Sequence, residues 1–145
     1  MERFYKGLTA GALAGIPMNA WSLTSFALGL TGRRYLDWMG VMLYGRLPES
    51  ALEQAYALLV HFGWLAFLGA LFAYLWPRLF EKLDIFKGMF YALVIAVLTY
   101  AVPILLQMPY LNQADLSTVV SNHLGALMWG GVLTYILIRL DKEVH

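Results

Sequence analysis

The chain has 145 residues, of which 61% are hydrophobic and 13% charged, with no cysteine and a net charge of +1. Its mean hydropathy of +0.64 leaves too little polar surface to coat a water-soluble core. The lack of cysteine excludes disulfides, thiolate metal sites, cysteine nucleophiles and covalent haem attachment, and no Lys/Arg cluster offers a nucleic-acid footprint.

No charge falls between Gly7 and Leu30, or between Gly88 and Gln107. Uncharged apolar runs of about 20 residues are what a spanning helix needs, so an all-α membrane protein with four transmembrane helices is expected. The first span covers about 7–30. Arg3 and Lys6 before it and Ser25-Phe26-Ala27 near its end imitate a signal peptide, but the run is too long for a signal-peptide core and is read as an uncleaved span. Gly7, Gly11 and Gly15 recur every four residues, a small-residue stripe on which another helix packs closely. Pro17 follows, and its missing N–H predicts a kink.

The segment 31–50 is too short to span and too apolar for a free loop, with Tyr35, Trp38 and Tyr44 among its aromatic residues. An interfacial helix is expected there, with Asp37 in reach of Arg33 or Arg34. Ser50-x-x-Glu53 is a capping box that opens a second span over 51–76. A charged loop over 78–87 leads to a third span over 88–106, and a turn without Lys or Arg leads to a fourth over 117–138. His145 is terminal and carries no argument. With four spans, Arg3, Lys6, Arg78, Lys82, Lys87, Arg139 and Lys142 share one side, against Arg33, Arg34 and Arg46. The positive-inside rule then puts both termini of a multi-pass protein of the cell (inner) membrane in the cytoplasm.

One stretch occurs twice. Glu53 to Leu75 returns as Asp115 to Leu137 in the pattern acid-x7-His-x-Gly-x-Leu-x-aromatic-x-Gly-x-Leu-x3-Leu. It aligns Glu53 with Asp115, His61 with His123, Gly63 with Gly125, and Gly69 with Gly131. Phe4-Tyr5-Lys6-Gly7 likewise resembles Ile85-Phe86-Lys87-Gly88. The chain therefore reads as two helical hairpins in the same orientation, a parallel repeat about an axis along the membrane normal. Gly7, Gly11, Gly15, Gly63, Gly69, Gly125 and Gly131 are the expected packing positions.

Each histidine lies about 12 Å below its acid along a helix, so the two sit at one depth. Ionisable groups in a span usually face the bundle interior or a cavity. Asn19 on the first span, Tyr100 on the third and Asn122 on the fourth reach the same layer. His61 and His123 facing each other would suit a b-type haem, a quinone head whose carbonyls they hydrogen-bond, or a proton relay. They would equally serve as packing groups that hydrogen-bond across helices. An outward-opening cavity rimmed by Glu53 and Asp115 is expected at that level, with the opposite half closed. No catalytic signature is present, neither His-Glu-x-x-His nor a nucleophile elbow, and no metal site is expected.

The Gly7-x3-Gly11-x3-Gly15 opening, His61-Phe62-Gly63, Lys87-Gly88-Met89-Phe90-Tyr91-Ala92-Leu93 and Asn122-His123-Leu124-Gly125 give the chain a layout that resembles small four-helix bacterial and archaeal membrane proteins of unknown function, of the YagU and YqhR kind. The likeness covers most of the chain. It implies a fold and carries no activity, catalytic residue or cofactor. The leading expectation is a non-enzymatic accessory protein or subunit of a larger membrane complex, or a homo-oligomer, in contact with the lipid bilayer and not with nucleic acid. The alternatives are a haem- or quinone-binding bundle and an oligomeric small transporter or channel.

Overall fold

The computed structural model describes residues 2–79 and 82–142; His145 and part of the expected 78–87 loop lie outside them. Among the described residues every regular element is helical: α1 (Glu2–Ala27), α2 (Tyr35–Tyr44), α3 (Ala51–Leu79), α4 (Ile85–Leu105) and α5 (Leu116–Lys142). By length and composition α3, α4 and α5 can each cross a membrane.

Local chemistry sets the helix ends. α1 stops three residues before the expected end of the first span. Gly29 takes a left-handed φ of 71°, Leu30 N–H donates to Ser25 O at 2.9 Å and Gly29 N–H to Phe26 O at 3.0 Å. This pair of bonds is a Schellman stop. α2 ends in a similar way at Gly45, whose N–H donates to Val41 O. The capping box before α3 is reciprocal: Glu53 N–H donates to Ser50 Oγ at 3.1 Å, and Ser50 N–H to Glu53 Oε2 at 3.4 Å. Asp84 caps α4 by accepting from Lys87 N–H. α1 runs unbroken through Pro17.

The long helices alternate in direction. α1 lies between α3 and α5, α5 between α1 and α4, and α2 rests on α3. At the end bearing the α1 N-terminus the backbones nearly touch. A Cβ on Gly7 would lie 2.6 Å from Ala70 Cα, and one on Gly11 would run into Leu65 O. A Cβ on Gly88 would collide with Thr134, and one on Gly130 with Gly88 O. Trp129 fills the junction of α1 and α5, buried, with its indole N–H donating to Gly11 O at 3.0 Å. Of the expected packing glycines, Gly63 faces open space and Gly131 makes only ordinary contacts with Ile85 and Met89. Gly130 instead seats α4, with Gly88 opposite it.

The other end is polar inside. Asn19, Ser22, Ser25, His61, Thr118, Ser121 and Asn122 are all buried there. The 28–34 connection is tied to α5 through Thr118, whose hydroxyl accepts from Gly32 N–H at 2.8 Å and donates to Asp115 Oδ1 at 2.7 Å. The hydroxyls of Ser117 and Thr118 and the Thr118 N–H all donate to Asp115. They hold its carboxyl well below the usual carboxylate range.

Two outcomes follow for folded stability. Gly11→Ala must push helix backbones apart and is expected to destabilise by about 1–3 kcal/mol. Gly63→Ala meets nothing and is expected to stabilise by about 0.5–1 kcal/mol through helix propensity; thermal unfolding in mild detergent compares them. Because the Asp115 carboxyl is depressed in the fold, its contribution is full above the ordinary value of 3.8 and is lost as pH falls through the lower folded-state value. The melting temperature of Asp115→Asn should therefore sit below wild type at pH 7, with the gap narrowing as pH drops below 3.8.

Candidate functional site

Asn19 and His61 meet between α1 and α3. The Asn19 side-chain amide donates to Gly15 O at 2.8 Å, and its Oδ1 lies 3.0 Å from His61 Nδ1. An amide oxygen only accepts, so Nδ1 carries the proton. In a neutral imidazole Nε2 is then a bare acceptor. Among the described residues nothing pairs with Nε2, although His61 is only 5% exposed. Nε2 is not one of the fully buried side-chain atoms left without a partner, which among the described residues are Thr31 Oγ1 and Arg33 Nε; it keeps some accessible surface, so it can accept a hydrogen bond from a donor that reaches it.

Tyr35, the first residue of α2, covers one face of that ring, stacked at 5.4 Å with 14° between the planes. Its hydroxyl donates to Asn122 O and its backbone N–H to Ser22 Oγ at 3.2 Å. Gly125 makes room for it, since a Cβ there would stand 2.5 Å from the Tyr35 hydroxyl. Burial, and in second place the nearby Tyr100, push the Tyr35 phenol well above its usual range, so it stays a neutral donor. α2 is pinned from both sides. Arg34 pairs with Asp37 at 2.8 Å and donates to Gln54 at 3.0 Å, and Arg46 pairs with Glu53 at 2.7 Å.

Beside His61 lies a cavity of about 70 Å³. The α3 and α4 backbones do not approach closely; Tyr91 bridges them, its ring 4.8 Å from Phe72 and its hydroxyl donating to Leu68 O at 3.0 Å. The cavity occupies the resulting gap. His61 and Trp64 of α3, Ala92, Ala96 and Tyr100 of α4, Tyr35 and Trp38 of α2, and Asn122, Ala126 and Trp129 of α5 line it. Alanines at 92, 96 and 126 leave the space, and aromatic rings bound it. The polar groups of the lining are largely engaged. Asn122 donates to the Tyr100 hydroxyl oxygen at 2.8 Å, and Thr99 donates to Ile95 O at 2.8 Å. His61 Nε2 is the acceptor left over.

The structure brings His61, Tyr100 and Asn122 to this cavity, with Asn19 behind His61. His123 is not among the lining residues. Its Nδ1 donates to Val119 O at 2.7 Å and its ring stacks on Tyr100 at 5.5 Å. The two imidazoles thus serve separate places, and a volume of about 70 Å³ is far too small for a macrocycle. A quinone held by histidine N–H donors also does not suit His61, whose donor is committed to Asn19. Glu53 and Asp115, expected at the rim, hold Arg46 and the start of α5 instead. Among the described residues no three His, Asp or Glu side chains gather as metal ligands. Tyr35 and Trp38, read from sequence as headgroup-level aromatics, are part of the site; the one hint was a large residue at the start of a helix facing a glycine notch at Gly125, and that notch is 90 residues away in the chain.

Nitrogen-15 NMR of histidine-labelled protein should show His61 with a protonated Nδ1 and a bare Nε2. Asn19→Ala removes the acceptor, so the Nε2–H tautomer should appear; an unchanged spectrum would contradict the assignment.

No protein-family model, curated protein or solved structure matches this chain.

Proposed function

We propose that this chain is a four-span integral membrane protein that takes the head of a small amphipathic ligand from the bilayer into the cavity beside His61. It does so without catalysis of its own. The observation that carries this reading is the His61 imidazole in the wall of a largely apolar cavity between α3 and α4, its Nδ1–H fixed on Asn19 and its Nε2 without a partner among the described residues.

α1 is the fourth span in this reading. Its 26 residues rise about 39 Å, enough for a hydrocarbon core. Its large apolar side chains point outward, with Leu13 46% and Ile16 57% exposed, while Ala10 and Ala14 are fully buried. That arrangement suits lipid outside and close packing inside. The cation asymmetry favours cytoplasmic termini in a cell membrane.

A parallel repeat is part of the proposal. Gly7 and Gly88, 81 positions apart, each seat against the second helix of their own hairpin. Asn19 and Tyr100, at the same spacing, each contact the histidine of their own hairpin. The Gly7-Gly11-Gly15 stripe is occupied by α3 within the chain.

The test is native mass spectrometry of the protein released from lipid nanodiscs. Wild type should retain an amphiphile mass, and Ala96→Phe, whose added ring fills the cavity, should lose it. Equal retention by both, or no retention by wild type, would refute the reading.

A further inference from the structure

We infer that the cavity selects a hydroxyl-bearing aromatic head, of the phenol or hydroquinone class, over the corresponding carbonyl or ether. The inference rests on the ligand-binding reading above and adds the chemistry of the head.

It starts from the hydrogen-bond inventory. His61 Nδ1–H is committed to Asn19 Oδ1 at 3.0 Å, and that amide cannot turn, because its NH2 is held by Gly15 O at 2.8 Å. The face shown to a ligand is therefore an Nε2 lone pair. A hydroxyl donates to it. A quinone carbonyl or a methyl ether sets lone pair against lone pair, leaving both acceptors without a donor. A site built around one hydrogen bond rejects an analogue that lacks it far more strongly than an apolar pocket rejects a change of size.

The walls supply the rest. Tyr35, Trp38, Trp64 and Trp129 are ring faces and edges, which favour a flat aromatic head. A volume of about 70 Å³ admits nothing larger than one ring, and the rest of the amphiphile lies along the gap between α3 and α4. The Tyr100 hydroxyl receives its bond from Asn122, so its own proton is free to reach a second ligand oxygen. A ring bearing a hydroxyl and a second oxygen offers one partner to each of these two lining groups. The proposal is binding selectivity only, with no electron or proton leaving the ligand.

The test is equilibrium binding of three probes to the full chain in phosphatidylcholine nanodiscs, with empty nanodiscs subtracted. The probes are a decyl-substituted hydroquinone, its dimethyl ether and the matching benzoquinone. Wild type should bind the hydroquinone at least tenfold more tightly than either analogue. Asn19→Ala, which keeps the imidazole but frees its tautomer, should shrink that ratio and let the benzoquinone gain. His61→Phe should abolish the preference. The wild-type ratio decides the matter even if a variant fails to fold. Saturable binding with equal affinities, or a benzoquinone preference, overturns hydroxyl selection and leaves the cavity reading standing. No saturable binding of any probe overturns both.

Discussion

The structure depends on the backbone contact of α1 with α3 at Gly7, Gly11 and Gly69. In a bilayer there is little hydrophobic gain from bringing helices together, so close van der Waals packing and internal polar bonds must hold them. The glycines bring the two helices to backbone contact at one end. Further along, Gly15 meets the side chains of Leu65 and Phe62 rather than backbone, and the helices stand farther apart. That extra width accommodates the Asn19–His61 pair. Contact at one end and spacing at the other is one geometric fact, and the polar interior exists only where the helices separate.

α2 completes that interior. It is short and apolar, with Asp37 its one charged residue, and on its own would be too short to span a membrane. Here Tyr35 points inward over His61, while Leu36, Trp38 and Val41 are buried. The ion pairs of Arg34 and Arg46 reach α2's own Asp37 and the start of α3, so the helix is clamped at both ends. Exposed pairs of this kind contribute little stability; the Arg34–Asp37 pair is mostly buried and bidentate, a geometry that fixes orientation.

Much of the fold was legible in the residues. Uncharged runs, the Ser50–Glu53 box and the Arg34–Asp37 spacing each act within a few residues of chain, and the structure contains the corresponding elements. What failed was the face. The internal repeat pairs Gly69 with Gly131, yet Gly130 is the residue against Gly88. Adjacent residues on a helix differ by about 100°, so a one-residue slip in an alignment moves the contact to another side. Gly63 was drawn into the packing set by the same alignment and faces outward. The histidine pair shows the same limit: depth follows from counting residues, whereas direction depends on helix rotation, which puts His61 in the cavity wall and turns His123 to Tyr100. The stop at Gly29 was local and readable, but it was hidden inside a run that stays apolar to Leu30.

The inward-facing small residues of α1 also bear on how such a chain is made. Average hydropathy ranks a segment as an isolated rod in lipid, and by that measure α1 is the poorest of the four long helices because glycine, serine and asparagine dilute it. Those residues become harmless only once α3 and α5 cover them. On the four-span reading, α1 thus leaves the ribosome before the helices that cover it, and of the four it is the one least able to stay in the membrane alone. Its retention would await the synthesis of its neighbours, so that topology is settled late, by assembly, and not helix by helix as each emerges.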